Sequence, residues 1–260
     1  MSRLGGTVLF SVSGVVVAAV LVVLAMSEVR GELLLKMSPK AFRDAEFARF
    51  ADNAGDEVYL LGTIHGGHLT TRDYSLWNVG AVVTHLHPDL LLVESRPAEL
   101  ARDNWGDGPV EAPFASLTAR AIGVEVRGMD WWTMNAAHVI DDDNREDRMF
   151  GNIAAALPGH RKALILTGFS HVDAFQKRLL ASGYHEAPFA SADKEALFDA
   201  RGLPARFPAG MTRVTQRRIQ LDQLTLAQQT DSFWKQRLSE VIAARQALLK
   251  TIASVGEQTP

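Results

Sequence analysis

The sequence contains no cysteine, which excludes disulfide bonds, thiolate metal sites and a cysteine nucleophile. It also lacks an excess of basic residues, because 27 lysines and arginines stand against 30 aspartates and glutamates, giving a formal net charge of −3. Nucleic acid is therefore not the expected partner, since no basic face is implied. Internal repeats and low-complexity segments are missing as well, and 260 residues are enough to bury a core.

Charge is also missing from the N-terminal segment between Leu4 and Ser27, which is apolar almost throughout. A helix needs about 20 apolar residues to cross a bilayer core, whereas the apolar region of a signal peptide has about 7–15. We therefore expect residues 1–27 to form a single-pass transmembrane anchor, with a signal peptide cleaved near Ala25 and Ser27 as the alternative. The side of the membrane stays open, because basic residues lie both before and after the segment, at Arg3, Arg30, Lys36, Lys40 and Arg43.

Three further segments follow the predicted anchor. Residues 28–56 are predicted as a juxtamembrane helix and linker, with an amphipathic helix that starts near Pro39 and ends at the Asn-Ala-Gly turn. Residues 57–209 are predicted as an α/β domain. Residues 210–260 carry apolar residues at helical spacing and are predicted as one or two long helices. These helices either pack on the sheet or pair with a second subunit, which would make the protein a homo-oligomer.

Apolar runs and helical patterns alternate along residues 57–209. Runs of about 4–8 apolar residues bounded by turn signals fit fully buried strands. The four predicted strands are Val58–Gly62, Asp89–Glu94, Val124–Asp130 and Lys162–Gly168. The predicted helices between and after them are Tyr74–His87, Phe114–Ile122, Asp143–Leu157 and Val172–Ser182. This alternation predicts an α/β fold with a largely parallel central sheet flanked by helices.

Each predicted strand leads to a residue that can bind a metal or transfer a proton. In strand order, these residues are His65, Glu94, Asp130 and His171. Because ligands bind at the carboxyl ends of strands in parallel sheets, we expect the four side chains to converge on one edge. Two imidazoles and two carboxylates suit a divalent transition metal or acid–base hydrolysis. The Gly-x-x-His spacing occurs after two separate strands, and its glycines are expected to let the backbone turn tightly before each histidine.

A helix before the fourth strand adds a cation to this set. In the sequence REDRMFGNI, Arg145 and Asn152 share one helical face. An arginine on that face can stabilise the negative charge that develops on an attacked carbonyl oxygen. The alternative is a solvated surface on which Arg145 pairs with Asp141 or Asp142. Arg148 competes with Arg145 for the same catalytic role.

A further histidine and a long loop lie close to the predicted site in the sequence. His68 follows His65 by three residues and is a candidate fourth ligand if the HGGH loop turns into a helix. Segment 102–114 is polar, rich in glycine and proline, and directly follows the strand that ends at Glu94. It is predicted as a lid or substrate loop over the carboxyl edge of the sheet. No role is expected for three other histidines, His138, His160 and His185.

These motifs resemble those of the TraB/TIKI superfamily, which includes GumN-like, ChaN-like and erythromycin-esterase-like proteins. The matching segments are LLGTIHGGH, PDLLLVES, REDRMFGNI and LILTGFSHVDAF, which lie between residues 58 and 184. By this resemblance, His65 and His171 are the motif histidines. Glu94 is similar to the acidic site residue of the superfamily, and Arg145 to the site arginine of its esterase-like branch.

The branches of the superfamily imply different activities. TIKI members imply a metal-dependent protease, the esterase-like branch a lactone hydrolase, and the ChaN-like branch a link to haem. The sequence departs from TIKI by carrying GGH after the first motif, and Asp130 in GMDWW resembles a strand-end aspartate of the esterase-like branch. The resemblance therefore implies hydrolysis or haem binding without fixing one substrate.

Together these observations predict a membrane-anchored hydrolase of a small molecule or a peptide. In the leading hypothesis, a divalent metal such as Mn, Co or Zn lowers the pKa of a water toward about 7. Arg145 stabilises the oxyanion of the attacked ester or amide, and Asp130 or His68 orients groups or accepts protons. The alternatives are a metal-free esterase with a histidine as general base against Glu94, and a non-catalytic protein that binds haem or metal. The predicted metal ligands are His65, Glu94, His171 and the candidate His68.

Overall fold

The computed structural model describes residues 27–134, 140–141 and 144–258. The predicted anchor, residues 1–27, lies outside these ranges except for Ser27, which begins the first described helix. Within the described ranges, no helix combines the length and the apolar character that crossing a bilayer requires.

A six-stranded sheet forms the centre of the protein, in the spatial order β4-β3-β7-β2-β1-β8. Strands β4, β3, β7 and β2 are parallel, while β1 is antiparallel to both β2 and β8. A separate antiparallel pair, β5 and β6, follows β4 in the chain. The strands are β1 Phe47–Ala51, β2 Glu57–Thr63, β3 Leu90–Val93, β4 Glu125–Gly128, β5 Thr133–Met134, β6 Ile140–Asp141, β7 Lys162–Gly168 and β8 His185–Glu186. The four predicted strands are confirmed as β2, β3, β4 and β7.

Helices lie between the strands and at both ends of the described chain. They are α1 Ser27–Met37, α2 Pro39–Ala45, α3 Leu76–Leu86, α4 Pro97–Leu100, α5 Glu111–Ala121, α6 Arg145–Ala156, α7 Val172–Ala181, α8 Ser191–Phe198, α9 Met211–Gln228 and α10 Ser232–Val255. The four helices predicted within residues 57–209 are confirmed as α3, α5, α6 and α7. Three short 3₁₀ turns are also present, at His65–Leu69, Arg72–Tyr74 and Phe169–His171.

The central strands bury side chains on both faces of the sheet, because successive side chains of a strand point to opposite sides. In β3, Leu91 and Val93 pack on the face covered by α2, α3 and α5, while Leu90 and Leu92 pack on the face covered by α6 and α7. All four side chains are fully buried. The protein is therefore a mixed α/β fold in which helices cover both faces of the sheet.

The linker predicted for residues 28–56 contains a strand of this sheet. The helix starts at Pro39 as predicted and is capped by Ser38, but it ends at Ala45. The chain then forms β1, in which Phe47 and Phe50 are each 1% exposed and pair with residues of β2. Pairing with the buried strand β2 buries both rings on opposite faces, which a continued helix would not achieve.

The C-terminal segment forms two long helices, α9 and α10, within the range predicted from the sequence. They pack against each other, and α9 also contacts α5. Apolar side chains from both helices join Trp105 and Phe114 in a third cluster of the core. The helices therefore pack on the α/β domain through α5. Pairing with a second subunit stays a prediction.

A chain of ion pairs around two buried aspartates also joins these helices to the loop after β3. Asp107 is fully buried and contacts Arg96 at 3.1 Å and Arg218 at 3.5 Å. Arg218 continues to Asp222 at 3.0 Å within α9, and Asp222 also pairs with Arg245 of α10. A buried carboxylate is costly unless it is paired, and each of these two aspartates is paired with two arginines. The network therefore fixes α9 and α10 against the loop that follows Glu94.

Candidate functional site

The carboxyl ends of the parallel strands bring together the charged residues that the sequence predicted there. His65 begins the 3₁₀ turn after β2, Glu94 directly follows β3, and His171 ends the 3₁₀ turn after β7. Nε2 of His65 lies 3.8 Å from Oε2 of Glu94, and Nε2 of His171 lies 3.5 Å from Oε1 of the same carboxylate. The predicted convergence of these three side chains is therefore confirmed.

Glu94 is the centre of this arrangement. Its side chain is 2% exposed, and Oε1 accepts a hydrogen bond of 3.1 Å from the hydroxyl of Thr167. Burial raises the pKa of Glu94, although the neighbouring His65 and His171 act in the opposite direction. A buried carboxylate with a raised pKa between two imidazoles can hold a metal ion or share a proton.

Glu111 is a second buried carboxylate of the site, and the sequence did not predict it. Its Oε1 accepts hydrogen bonds from Nδ1 of His65 at 2.7 Å and from the hydroxyl of Thr63 at 2.6 Å. Burial alone would lower the pKa of His65, but Glu111 and Glu94 outweigh it and raise the pKa to about 9. Burial would likewise raise the pKa of Glu111, but His65 outweighs it and lowers the pKa to about 2. The two side chains therefore form a charged pair.

Glu111 reaches the site because the segment predicted as a lid packs into the protein. Asn104, Trp105 and Asp107 are all buried, and Gly108 lies against the end of β3. Gly108 has a φ of +105°, and a Cβ at this position would lie 2.0 Å from the carbonyl oxygen of Glu94. This close approach brings the start of α5 next to the strand end. The prediction that segment 102–114 forms a lid is therefore wrong for residues 104–108, which form a packed connection between the end of β3 and α5.

Glu146 holds the other histidine of the site, and the sequence did not predict this residue either. Its Oε1 lies 3.1 Å from Nδ1 of His171, and its Oε2 lies 3.7 Å from the guanidinium of Arg178. The ring of Phe175 stacks beside His171 at 5.9 Å. Each imidazole therefore has a glutamate at Nδ1 and faces Glu94 with Nε2. A carboxylate at Nδ1 fixes the orientation of a histidine whose Nε2 binds a ligand.

Arg145 forms an ion pair with Asp130, the aspartate that the sequence placed at the end of the third predicted strand. Its Nε and Nη2 donate hydrogen bonds of 2.9 and 3.0 Å to the two carboxylate oxygens of Asp130, which is 3% exposed. A bidentate pair of this kind fixes the plane of the guanidinium. Both charges act on the pKa of Glu94, so they belong to the same site. Arg148 is exposed and lies over the ring of Trp131 at 4.2 Å.

His68 does not act as the predicted ligand. Its ring is 2% exposed, Nε2 accepts a hydrogen bond from the amide of Ile64, and Nδ1 donates one of 2.8 Å to the carbonyl of Tyr74. With both nitrogens bonded to the backbone, the side chain stabilises the 3₁₀ turn instead. Burial also lowers the pKa of His68. Of the three histidines for which no role was expected, His160 pairs with Glu125 and His185 lies in β8. His138 falls outside the described residues.

The position of His65 depends on an unusual backbone and a close neighbour. Its φ is +49°, a left-handed conformation that is uncommon for residues other than glycine. A Cβ at Gly168 would lie 2.8 Å from Nε2 of His65, so only glycine lets β7 approach the ring this closely. Gly168 therefore permits close packing rather than the predicted tight turn. Strained conformations of this kind cluster at functional sites.

The residues present fit a divalent metal ion. The ligand atoms of His65, Glu94 and Glu111 lie within 4.8 Å of one another, forming the one such group in the described part of the chain. His171 contacts Glu94 without joining this group. Oε2 of Glu111 is buried and has no hydrogen-bond partner among the described residues, and a buried unpaired oxygen is costly unless an ion or a water binds it. Imidazole nitrogen and carboxylate oxygen are ligands of zinc and related metals.

Comparisons of this chain with protein-family models, with curated proteins and with solved structures give no match. Membership of the TraB/TIKI superfamily therefore stays a prediction from the motifs.

Proposed function

We propose that the protein is a hydrolase whose reacting centre is the cluster of His65, Glu94 and Glu111 with a divalent metal ion. The buried, unpaired Oε2 of Glu111 carries this proposal, because it completes a three-ligand set that otherwise contains an unsatisfied charge. Three protein ligands with a further position open to water are typical of catalytic metal sites. When bound, such an ion supplies an acidified water and polarises the attacked carbonyl group.

The other residues of the site have distinct tasks in this proposal. His171 is held at Nδ1 by Glu146, so its Nε2 can accept the proton of the attacking water and pass it to the leaving group. The water oxygen bonds to the carbonyl carbon, and the bond from that carbon to the leaving group breaks. Arg145, oriented by Asp130, stabilises the negative charge that develops on the carbonyl oxygen.

A metal-free hydrolase is the second candidate, and the bond between His171 and Glu146 favours it. A carboxylate at Nδ1 leaves Nε2 of a neutral histidine free to act as a general base, as in many hydrolases. Glu94, with its raised pKa, would then serve as the acid. The two candidates differ in their response to chelation, because only the first one requires a metal ion.

The test measures metal content and turnover of the full chain on a panel of esters and peptides, with and without a chelator. We expect the wild type to contain metal and to lose turnover when the metal is removed. Glu94→Gln and Glu111→Gln should each lower metal affinity or turnover by about 10²-fold. Turnover that is unaffected by the chelator in a metal-free protein would favour the second candidate. A chain without turnover on any substrate would contradict both.

The chain offers a matched control in a second histidine–glutamate pair. Nε2 of His160 lies 3.2 Å from Glu125, and this pair is away from the cluster around Glu94. Glu125→Gln removes the same chemical group as Glu111→Gln, and we expect turnover and metal content to stay unchanged. A comparable loss in the control would mean that the effect comes from general destabilisation.

We further propose that residues 1–27 anchor this hydrolase in a membrane as a single pass. The uninterrupted apolar sequence from Leu4 to Ser27 supports the proposal. We expect the protein to stay in the membrane fraction after washing at high salt and at alkaline pH. A soluble protein whose mature N-terminus is Glu28 would contradict it.

A further inference from the structure

Two buried threonines stand at the ends of the neighbouring strands β2 and β7, next to the cluster around Glu94. Thr63 is the last residue of β2, Thr167 precedes the last residue of β7, and both are 0% exposed. The buried side chains that precede Thr167 in β7 are all aliphatic. A hydroxyl that is withdrawn from water costs free energy unless it is hydrogen-bonded, so valine is the expected residue where a side chain serves packing alone.

The two threonines lie on opposite faces of the sheet. Side chains two residues apart in a strand point to the same face, so Thr63 follows Leu61 and faces helix α5. By the same rule, Thr167 follows Ile165 and faces helices α6 and α7. Each threonine therefore meets a different carboxylate of the cluster.

The hydroxyl of Thr63 holds one oxygen of Glu111. It lies 2.6 Å from Oε1 of Glu111 and 3.0 Å from the carbonyl oxygen of Thr167. A hydroxyl has a single proton to donate, and the shorter distance is typical of a bond to a charged acceptor, so the proton goes to the carboxylate. Oε1 also accepts the hydrogen bond from Nδ1 of His65. Both bonds use the same oxygen, which leaves the buried Oε2 of Glu111 without a partner among the described residues.

The hydroxyl of Thr167 holds Glu94 in the same way. It donates to Oε1 at 3.1 Å, and Nε2 of His171 lies 3.5 Å from the same oxygen. Oε2 of Glu94 lies 3.8 Å from Nε2 of His65, which is beyond hydrogen-bond distance. In both glutamates a threonine therefore bonds Oε1, while Oε2 stays available to a metal ion.

We propose that the two threonines are positioning residues, which select Oε2 of each glutamate as the atom that binds the metal ion. This inference rests on the proposed function for the ion itself, but it concerns groups of the chain and can be tested without turnover. A carboxylate that rotates freely can offer either oxygen or both of them, so a fixed orientation lowers the cost of binding. Side chains that orient metal ligands typically contribute about 10–100-fold to metal affinity.

The first experiment measures the Zn²⁺ affinity of the full chain in detergent by competition with a chelating dye. Thr63→Val and Thr167→Val keep the shape of the side chain but remove the hydroxyl, and we expect each to lower the affinity by about 10–100-fold. The corresponding serine variants keep the hydroxyl and should bind Zn²⁺ as the wild type does. Thr215, which is 4% exposed and donates to the carbonyl of Met211 at 2.8 Å, provides the matched control. Thr215→Val should retain the wild-type affinity.

The second experiment records the visible absorption of the same proteins with excess Co²⁺, because this absorption depends on the number and arrangement of the ligands. We expect one common spectrum for the wild type, both serine variants and Thr215→Val, and a different spectrum for Thr63→Val and Thr167→Val. A lower affinity with an unchanged spectrum would show that the threonines do not select the ligand oxygen, and would overturn the proposal.

The serine variants separate hydrogen bonding from packing. Serine variants that bind Zn²⁺ as weakly as the valine variants would assign both threonines to packing and overturn the proposal. Valine variants with the affinity and spectrum of a metal-binding wild type would overturn the proposal as well, but would leave the metal-dependent hydrolase intact. A wild type that binds neither Zn²⁺ nor Co²⁺ would contradict the metal-dependent hydrolase and this inference together.

Discussion

Replacing Glu111 with glutamine removes one charge from a buried pair while it keeps the size of the side chain. Glu111 is 1% exposed, and its pKa of about 2 lies below the ordinary value of 4.5. That difference corresponds to about 3 kcal/mol of stabilisation by the pair. His65 is 49% exposed, so solvent screens part of this interaction. We therefore expect Glu111→Gln to lower the free energy of unfolding of the metal-free protein by about 1–2 kcal/mol.

The same pair predicts how this loss depends on pH. The lowered pKa of Glu111 contributes stability that is present above pH 4.5 and is lost as the pH falls toward about 2. The raised pKa of His65 contributes stability that is complete below pH 6.5 and is lost as the pH rises through about 9. The difference between wild type and variant should therefore be largest between pH 4.5 and 6.5.

The assay is urea unfolding of the full chain in detergent with a chelator present, at about pH 5.5 and at about pH 10. We expect the wild type to lose about 1–2 kcal/mol of its advantage over Glu111→Gln at the higher pH. Glu125→Gln, which removes the partner of His160 at a more exposed pair, should change the free energy by less than about 1 kcal/mol at either pH. An equal difference between wild type and Glu111→Gln at both values of pH would refute the charged pair.

Two further predictions concern the geometry of the site. Gly168→Ala should lower metal affinity by about 10–100-fold in a competition with a chelating dye, because the new Cβ displaces the ring of His65. Gly66→Ala, where a Cβ would meet no atom within 4 Å, should retain wild-type affinity, and equal losses in both variants would contradict this reasoning. Arg145→Lys should lower kcat by about 10²–10³-fold, since lysine cannot reproduce the bidentate pair with a carboxylate. Arg148→Ala should retain the wild-type kcat. A loss of kcat in Arg148→Ala together with a wild-type kcat in Arg145→Lys would contradict this prediction and assign the catalytic charge to Arg148.

The sequence predicted the part of the site that follows from the strands. Apolar runs that end at a histidine or a carboxylate identified His65, Glu94, Asp130 and His171, because parallel strands place these ends on one edge of the sheet. The pairing of Arg145 required the tertiary structure, since a helical face shows where a side chain points but not which carboxylate it meets.

Other members of the site depend on contacts that spacing does not encode. Glu111 starts a helix after a loop, and it reaches His65 only because Gly108 packs on the carbonyl of Glu94. Glu146 looks like an ordinary acidic residue in the first turn of a helix, where such residues are common. The spacing of His68 suited a ligand, but the direction of its ring is set by the bonds that the 3₁₀ turn makes.

The ion pairs of Asp222 have a consequence for a chain that has been cut. Helices α9 and α10 are connected by residues 229–231 alone, yet Asp222 in one helix also pairs with Arg245 in the other. A protease that cleaves at the exposed Thr230 would therefore leave two fragments that stay associated without a covalent link. We expect such fragments to co-purify, and residues 231–260 supplied as a separate peptide to restore a chain that ends at Thr230.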